Sequence, residues 1–357
     1  MSKYMSNRFS ALEEYVPGEQ PQDKVYIKLN TNESPYPPSK KVIDAVNDLA
    51  VGRLNLYPDP DCKKLVRVLA ERYGVSDENI FLSNGSDDIL NFAFMGFCDQ
   101  EKEVAFPDIS YGFYEVYANL YNLNYTKVPL KEDFSIDYKD YCNIGKNVVI
   151  ANPNAPTGLV LSMEEVEEIV KSNSDYVVLI DEAYVDFGGN SVVELTKKYE
   201  NLLVVQTFSK SRSMAGARLG FAIASKALIE DLNKIKYSTN PYNINYLTQI
   251  AGAAAIEDDA YYMENCKKIM QTRDNTKAEL ERRGFTLTDS HTNFLFAKSD
   301  RLSGKELYLG LKEKGVLVRY FAKPRLEEYL RITVGTPEEM TVFLEKVDEL
   351  LEVSYAD

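Results

Sequence analysis

Asn201-Leu202-Leu203-Val204-Val205 runs directly into Gln206-Thr207-Phe208-Ser209-Lys210-Ser211-Arg212-Ser213-Met214-Ala215-Gly216-Ala217-Arg218-Leu219-Gly220. The apolar opening reads as a buried strand. It ends in hydroxyls and a lysine, then a turn of small residues and an arginine. A lysine at a strand end in such company can form a Schiff base with an aldehyde cofactor. Ser209 and Arg218 are then the groups to hold that cofactor's phosphate. A Ser209–Lys210 hydrolase dyad is the competing reading. It leaves three upstream motifs without a part to play.

The first of these is Tyr176-Val177-Val178-Leu179-Ile180-Asp181-Glu182-Ala183-Tyr184, a strand that ends in acids. In open α/β sheets ligands bind at the carboxyl ends of strands. Asp181 there can keep a pyridine nitrogen protonated, which makes the ring an electron sink. Tyr184 is placed to hydrogen-bond the ring's phenolic oxygen. The plainer reading of Asp181 is a cap for the next helix. The second motif, Asn84-Gly85-Ser86-Asp87-Asp88, follows a short strand, Asn79 to Ser83, and opens an apolar helix. Glycine lets the backbone approach an anion, and a helix start offers free N–H groups. The third, Asn152-Pro153-Asn154-Ala155-Pro156-Thr157-Gly158, is a rigid loop after the strand Asn147 to Ile150. Its plainer reading is an ordinary strand-to-helix turn.

In this order the motifs resemble those of the histidinol-phosphate aminotransferases, fold-type I enzymes that use pyridoxal 5'-phosphate (PLP). The resemblance covers nearly the whole chain. It implies an α/β fold: a large domain around a mostly parallel seven-stranded sheet, and a smaller α+β C-terminal domain. Lys210, Asp181 and Tyr184 fall on the catalytic positions. Gly85, Ser86, Asp87, Tyr111, Asn154, Ser209 and Arg218 fall on cofactor positions with them. Tyr57, in Tyr57-Pro58-Asp59-Pro60, resembles a tyrosine that reaches the partner subunit's cofactor phosphate, which implies a homodimer. Tyr15 in Tyr15-Val16-Pro17-Gly18, Asn32 in Leu29-Asn30-Thr31-Asn32-Glu33, Arg319, and Arg331 in Leu330-Arg331-Ile332-Thr333-Val334 fall on substrate positions. Pro241-Tyr242-Asn243-Ile244-Asn245 resembles a motif near the substrate pocket. One position departs from the pattern. Ala155 stands where the family has an asparagine for the ring oxygen, so Asn154, Asn152 or Tyr184 has to serve instead.

The implied reaction moves an amino group from L-histidinol phosphate to 2-oxoglutarate, in histidine biosynthesis. It gives imidazole acetol phosphate and L-glutamate. The alternatives on the same cofactor residues are a threonine-phosphate decarboxylase-like lyase and an aromatic amino acid aminotransferase. A PLP-sensing regulator is a third class. It needs a basic DNA-binding module, for which a chain whose chemistry begins near Tyr15 leaves no room.

Bulk properties fit a globular enzyme. The 357 residues are 45% hydrophobic and 27% charged, with a formal net charge of −14. That charge argues against nucleic acid and anionic membranes as partners. It also demands a local basic site, such as Arg319 and Arg331, for any anionic substrate. Four separated cysteines and a single histidine, His291, point to free thiols, a cytoplasmic location and no metal site. His291 reads as a surface or strand-start residue. No apolar stretch is long enough for a membrane span. Helices over 61–73 and 163–171 alternate with short strands, which predicts a sheet covered on both faces. Residues 1–32 are read as an N-terminal segment joining the small domain, 33–250 as the large domain and 251–357 as the small one. A long helical stretch is expected over 245–283.

Overall fold

Side-chain alternation in the central strands sets the architecture. Val178, Ile180, Leu202 and Val204 belong to one apolar cluster. The intervening Leu179, Leu203 and Val205 belong to another. A strand places successive residues on opposite faces, so a sheet that is apolar at both parities must be covered on both sides. The computed structural model, which describes residues 4–6, 9, 12 and 18–353, contains that sheet. Its strands, in chain order, are β1 (Ile27–Leu29), β2 (Ile80–Ser83), β3 (Val104–Pro107), β4 (Tyr125–Val128), β5 (Asn147–Ala151), β6 (Val178–Asp181), β7 (Leu202–Thr207), β8 (Gly220–Ala224), β9 (Phe285–Leu287), β10 (Phe294–Ser299), β11 (Val316–Tyr320) and β12 (Leu330–Thr333).

The large sheet has seven strands in the order β2-β8-β7-β6-β5-β3-β4. All its pairings are parallel except those of β8, which runs against both neighbours. On one face lie the helices Lys63–Tyr73 and Met163–Ser172, which contribute Leu65, Leu69, Val166 and Ile169. On the other lie Ser86–Phe97, Phe113–Leu120 and Lys226–Thr239, with Leu90, Phe94, Tyr117 and Leu232. Helix Met163–Ser172 starts on a capping box: the Glu165 N–H, with no preceding turn to accept from it, donates to Ser162 Oγ at 3.2 Å, while the Ser162 N–H donates to Glu165 Oε2 at 2.8 Å.

The helical stretch expected over 245–283 is two helices, Tyr246–Ile256 and Asp259–Arg282. The break falls at Glu257-Asp258, where polar residues interrupt the apolar pattern. Beyond it, β9 to β12 and β1 form a five-stranded sheet in the order β1-β11-β12-β10-β9. One face, with Leu295, Val316, Val318, Leu330 and Ile332, packs on helices Gly304–Glu313 and Pro337–Val353. By alternation Arg331 points to the other face, towards the large sheet. β1 pairs in parallel with β11, Ile27 opposite Val316, so an early piece of chain completes a late sheet. Ahead of β1, Glu19 accepts from Tyr308 Oη at 2.7 Å and pairs with Lys312. Phe134 packs against Phe296 and Tyr329, and Arg325 donates to the carbonyls of Leu130 and Lys131. These contacts tie the loop after β4 to the small sheet.

Candidate active site

The parallel neighbours β5, β6 and β7 end side by side. Their last residues, Ala151, Asp181 and Thr207, open into a cavity of about 360 Å³. Because β8 is antiparallel, its beginning arrives at the same edge, with Gly220 opposite Ser83 at the end of β2. That crossing is tight. A Cβ on Gly220 would lie 2.4 Å from the Ser86 nitrogen, so only glycine fits. Gly85 adopts φ +89°, and a Cβ there would lie 2.7 Å from Arg218 Nη2. The two glycines thus press the start of helix Ser86–Phe97 against Arg218. This helix start has no side-chain cap, and Ser86 and Asp87 line the cavity. An uncapped helix start with an arginine beside it is an anion seat. Arg218 donates to Asp87 Oδ2 at 3.0 Å and to Ser209 Oγ at 3.4 Å. Tyr111 Oη donates to the other Asp87 oxygen at 2.7 Å.

Lys210 lines the same cavity. Its Nζ lies 3.5 Å from the Thr31 carbonyl and 5.6 Å from the Tyr184 ring centre. Asn32 Nδ2 donates to Tyr184 Oη at 2.9 Å. The tyrosine oxygen is the acceptor there, which leaves its own proton to be donated elsewhere. Asp181 is 5% exposed. Its carboxylate accepts from Tyr114 Oη at 2.9 Å and from the Ala183 N–H at 3.2 Å. Burial pushes its pKa up to about 6, against the opposing pull of the Tyr114 hydrogen bond. A buried carboxylate on the wall of a cavity, held by two neutral donors, suits a cationic ring nitrogen. The anion seat across the cavity suits a phosphate. The residues present therefore fit PLP.

Glu182, the next residue, faces the other way. It accepts from Ser191 Oγ, the Val192 N–H and Gln206 Nε2 at 2.6–2.7 Å. Gln206 in turn accepts from Tyr73 Oη at 2.7 Å. Burial raises the Glu182 pKa to about 7. An unsatisfied buried acceptor costs about 1–3 kcal/mol, and these three donors remove that cost while fixing the end of β6.

The structure brings Ser86, Asp87, Tyr111, Asp181, Tyr184, Ser209, Lys210 and Arg218 together around one cavity, with Gly85 shaping its edge. Other expected residues stand elsewhere. Asn154 does not reach the cavity. Its amide donates to the Ile109 carbonyl and to Thr157 Oγ1, and its oxygen accepts from Ser110 Oγ. It holds the proline loop to the segment before Tyr111. Asn152 is likewise engaged with Leu161. Ala155 is what lines the wall, which leaves Tyr184 as the hydroxyl for a ring oxygen. Asn32 lies behind Tyr184 rather than in the cavity, fully buried and bonded to Thr333. Tyr57 is 83% exposed and stacks on Tyr242 at 4.6 Å, away from the cavity of its own chain. Arg319 and Arg331 are not in the cavity lining but face each other across β11 and β12. The Arg331 guanidinium sits 5.5 Å from the Phe294 ring, and Phe294 meets Tyr184 edge-on at 5.2 Å. Tyr15 lies outside the described residues. His291 stands outside the cavity lining, its Nδ1 3.0 Å from the Gly188 carbonyl and its backbone N–H donating to the Gly158 carbonyl at 2.8 Å.

Sequence reasoning missed Thr31, Glu33 and Thr207 in the lining and Tyr114 behind Asp181. Burial alone would raise the Glu33 pKa, yet hydrogen bonds from Lys28 and Thr31 hold it below the usual range. Nothing local marked Tyr114, which lies in the first turn of a helix that opens two residues past Tyr111, and which reads as core.

The family model "Aminotransferase class I and II" matches residues 24–347. A histidinol-phosphate aminotransferase of Brachyspira hyodysenteriae is 50% identical over 353 residues, 99% of this chain and 100% of that one. The crystal structure of the histidinol-phosphate aminotransferase from Clostridium acetobutylicum superposes with a TM-score of 0.84 at 26% identity, covering 93% of this chain and all of that one. The Sinorhizobium meliloti enzyme, solved in complex with PLP, has the same fold, with a TM-score of 0.88 at 21% identity and 99% of each chain covered.

Proposed function

Because the chain belongs to the class I and II aminotransferases, and among them to the histidinol-phosphate aminotransferases, we propose that it transfers the amino group of L-histidinol phosphate to 2-oxoglutarate. The products are imidazole acetol phosphate and L-glutamate. The observation that carries this reading is the convergence of Lys210, Asp181 and the Arg218 anion seat on one cavity. When bound, PLP supplies an aldehyde for the amino group and a pyridinium ring that accepts the electron pair released at the substrate α-carbon. Ser209, Arg218 and the N–H groups at Ser86 and Asp87 hold its phosphate. Asp181 holds the ring nitrogen positive, and Tyr184 donates to the ring oxygen. Lys210 anchors the aldehyde end, and its amine then moves the proton on and off the α-carbon. Tyr111 covers one face of the ring. Arg331 and Arg319 bind the anionic end of the substrate.

A half-reaction screen tests the reading. Purified protein should convert bound PLP to pyridoxamine phosphate, seen as loss of the long-wavelength absorbance, with histidinol phosphate. Conversion should be slower with phenylalanine and tyrosine. Preference for an aromatic amino acid, or carbon dioxide release from threonine phosphate, would replace the proposed substrate.

The active unit in this reading is a homodimer in the cytoplasm. Ile43, Leu49, Leu54, Leu56 and Tyr57 are all exposed, and an apolar patch of this kind suits a protein interface. Among the described residues no helix is long and apolar enough to cross a membrane. With Tyr57 turned away from its own cavity, its hydroxyl is free to reach the phosphate seat of a second copy. Chains with Lys210→Ala, mixed with chains lacking residues 56–60, should regain activity through hybrid sites. A fully active monomer in sedimentation would rule out the shared site.

A further inference from the structure

Tyr114 is fully buried on helix Phe113–Leu120. Its ring packs among Phe94, Phe106 and Tyr111, with centroids 6.5, 6.0 and 5.7 Å away. Phenylalanine would serve that packing equally well. What the hydroxyl adds is one hydrogen bond, 2.9 Å long, to Asp181 Oδ2. The Ala183 N–H takes the other oxygen, so two donors on different elements fix the carboxylate plane. We propose that Tyr114 is a positioning residue, which aims Asp181 at a cationic ring nitrogen and keeps it ionised in a dry wall. This rests on reading the cavity as a PLP site.

The electrostatics around Asp181 support this. Burial is the largest influence and favours the neutral acid. Asp87, on the neighbouring helix, acts in the same direction. Lys210 and the Ala183 N–H oppose it, and Tyr114 opposes it more than either. Tyr111 and Tyr184 also lie close to the Tyr114 hydroxyl. Donation to a charged acceptor stabilises the charged form, so loss of the Tyr114 hydroxyl must move Asp181 towards protonation at a given pH.

The test compares wild type with Tyr114→Phe and with a chain carrying 3-fluorotyrosine at position 114 alone, which keeps the donor and makes it more acidic. Infrared titration of the PLP-free protein, with the Asp181 band assigned by its loss in Asp181→Asn, reads ionisation directly. Dilution dialysis reads PLP affinity. In Tyr114→Phe the Asp181 midpoint should rise, PLP should bind about ten-fold more weakly, and the acid limb of kcat/KM should move to higher pH. The fluorotyrosine chain should titrate at or below wild type and keep its affinity. An unmoved Asp181 midpoint in Tyr114→Phe, whatever its PLP affinity, overturns the proposal. So does a fluorotyrosine chain that titrates like the phenylalanine one. Should Tyr114→Phe fail to fold, the fluorotyrosine titration decides alone. If wild type binds no PLP, the cofactor reading fails, and the infrared titration still judges Tyr114.

Discussion

Lys210→Ala chains should still take up PLP loosely, yet lose transamination by roughly 10³-fold or more, since a positioned proton-transfer group alone contributes on the order of 10²–10⁴-fold. The expected loss is large because, in the proposed function, one amine has two tasks, anchoring the aldehyde and moving the α-proton. The geometry allows both, since Lys210 Nζ stands at the cavity wall, 5.6 Å from the Tyr184 ring centre and close to the Thr31 carbonyl. The phosphate seat around Arg218 and Ser86 lies on other elements and survives the substitution. Borohydride reduction of wild-type protein should lock the cofactor onto a single peptide containing Lys210. A label on any other lysine would remove Lys210 from this assignment.

Arg331→Lys should weaken 2-oxoglutarate and histidinol phosphate alike, by on the order of 2–4 kcal/mol, the range for truncating one side of a buried charged pair. The PLP absorbance should stay as in wild type. Arg331 is bracketed by aromatic rings, Phe294 at 5.5 Å and Phe321 at 5.6 Å, and donates to the Asn30 carbonyl at 3.0 Å. That arrangement fixes a planar guanidinium, and lysine offers only a point charge in its place. Arg319 stands directly opposite on β11. In the proposed function the two arginines share one phosphate or carboxylate of the substrate. Steady-state KM for both substrates decides. Values near wild type would pass the part to Arg319. Arg325 is the weaker substitute, since its guanidinium is engaged with the Leu130 and Lys131 carbonyls.

The strand-end motifs were readable because short apolar runs and the polar residues that end them are local features. β5, β6 and β7 therefore came with their cavity residues attached. Residues whose work depends on distant partners were not readable. Asn154 carries a polar side chain in the right loop, but Ile109, Ser110 and Thr157 engage all of it. Asn32 belongs to an expected motif, and only the fold shows it behind Tyr184. Tyr114 looks like core filler until β6 sets Asp181 against its hydroxyl. The break at Glu257-Asp258 was missed because helical periodicity on either side outweighs two polar residues.

The pairing of β1 with β11 has a consequence for how the protein is made. Asn32 bonds to Thr333 across 301 residues of chain, and Ile27 lies against Val316. A ribosome delivers the first of these partners long before the second, and contacts so distant in sequence form late. The Thr31–Glu33 wall can meet Tyr184 and Lys210 earlier, but Asn32 lacks its Thr333 partner until β12 has been made. The nascent chain can build its large sheet early, but this wall of the cavity is complete only once β11 and β12 have been made.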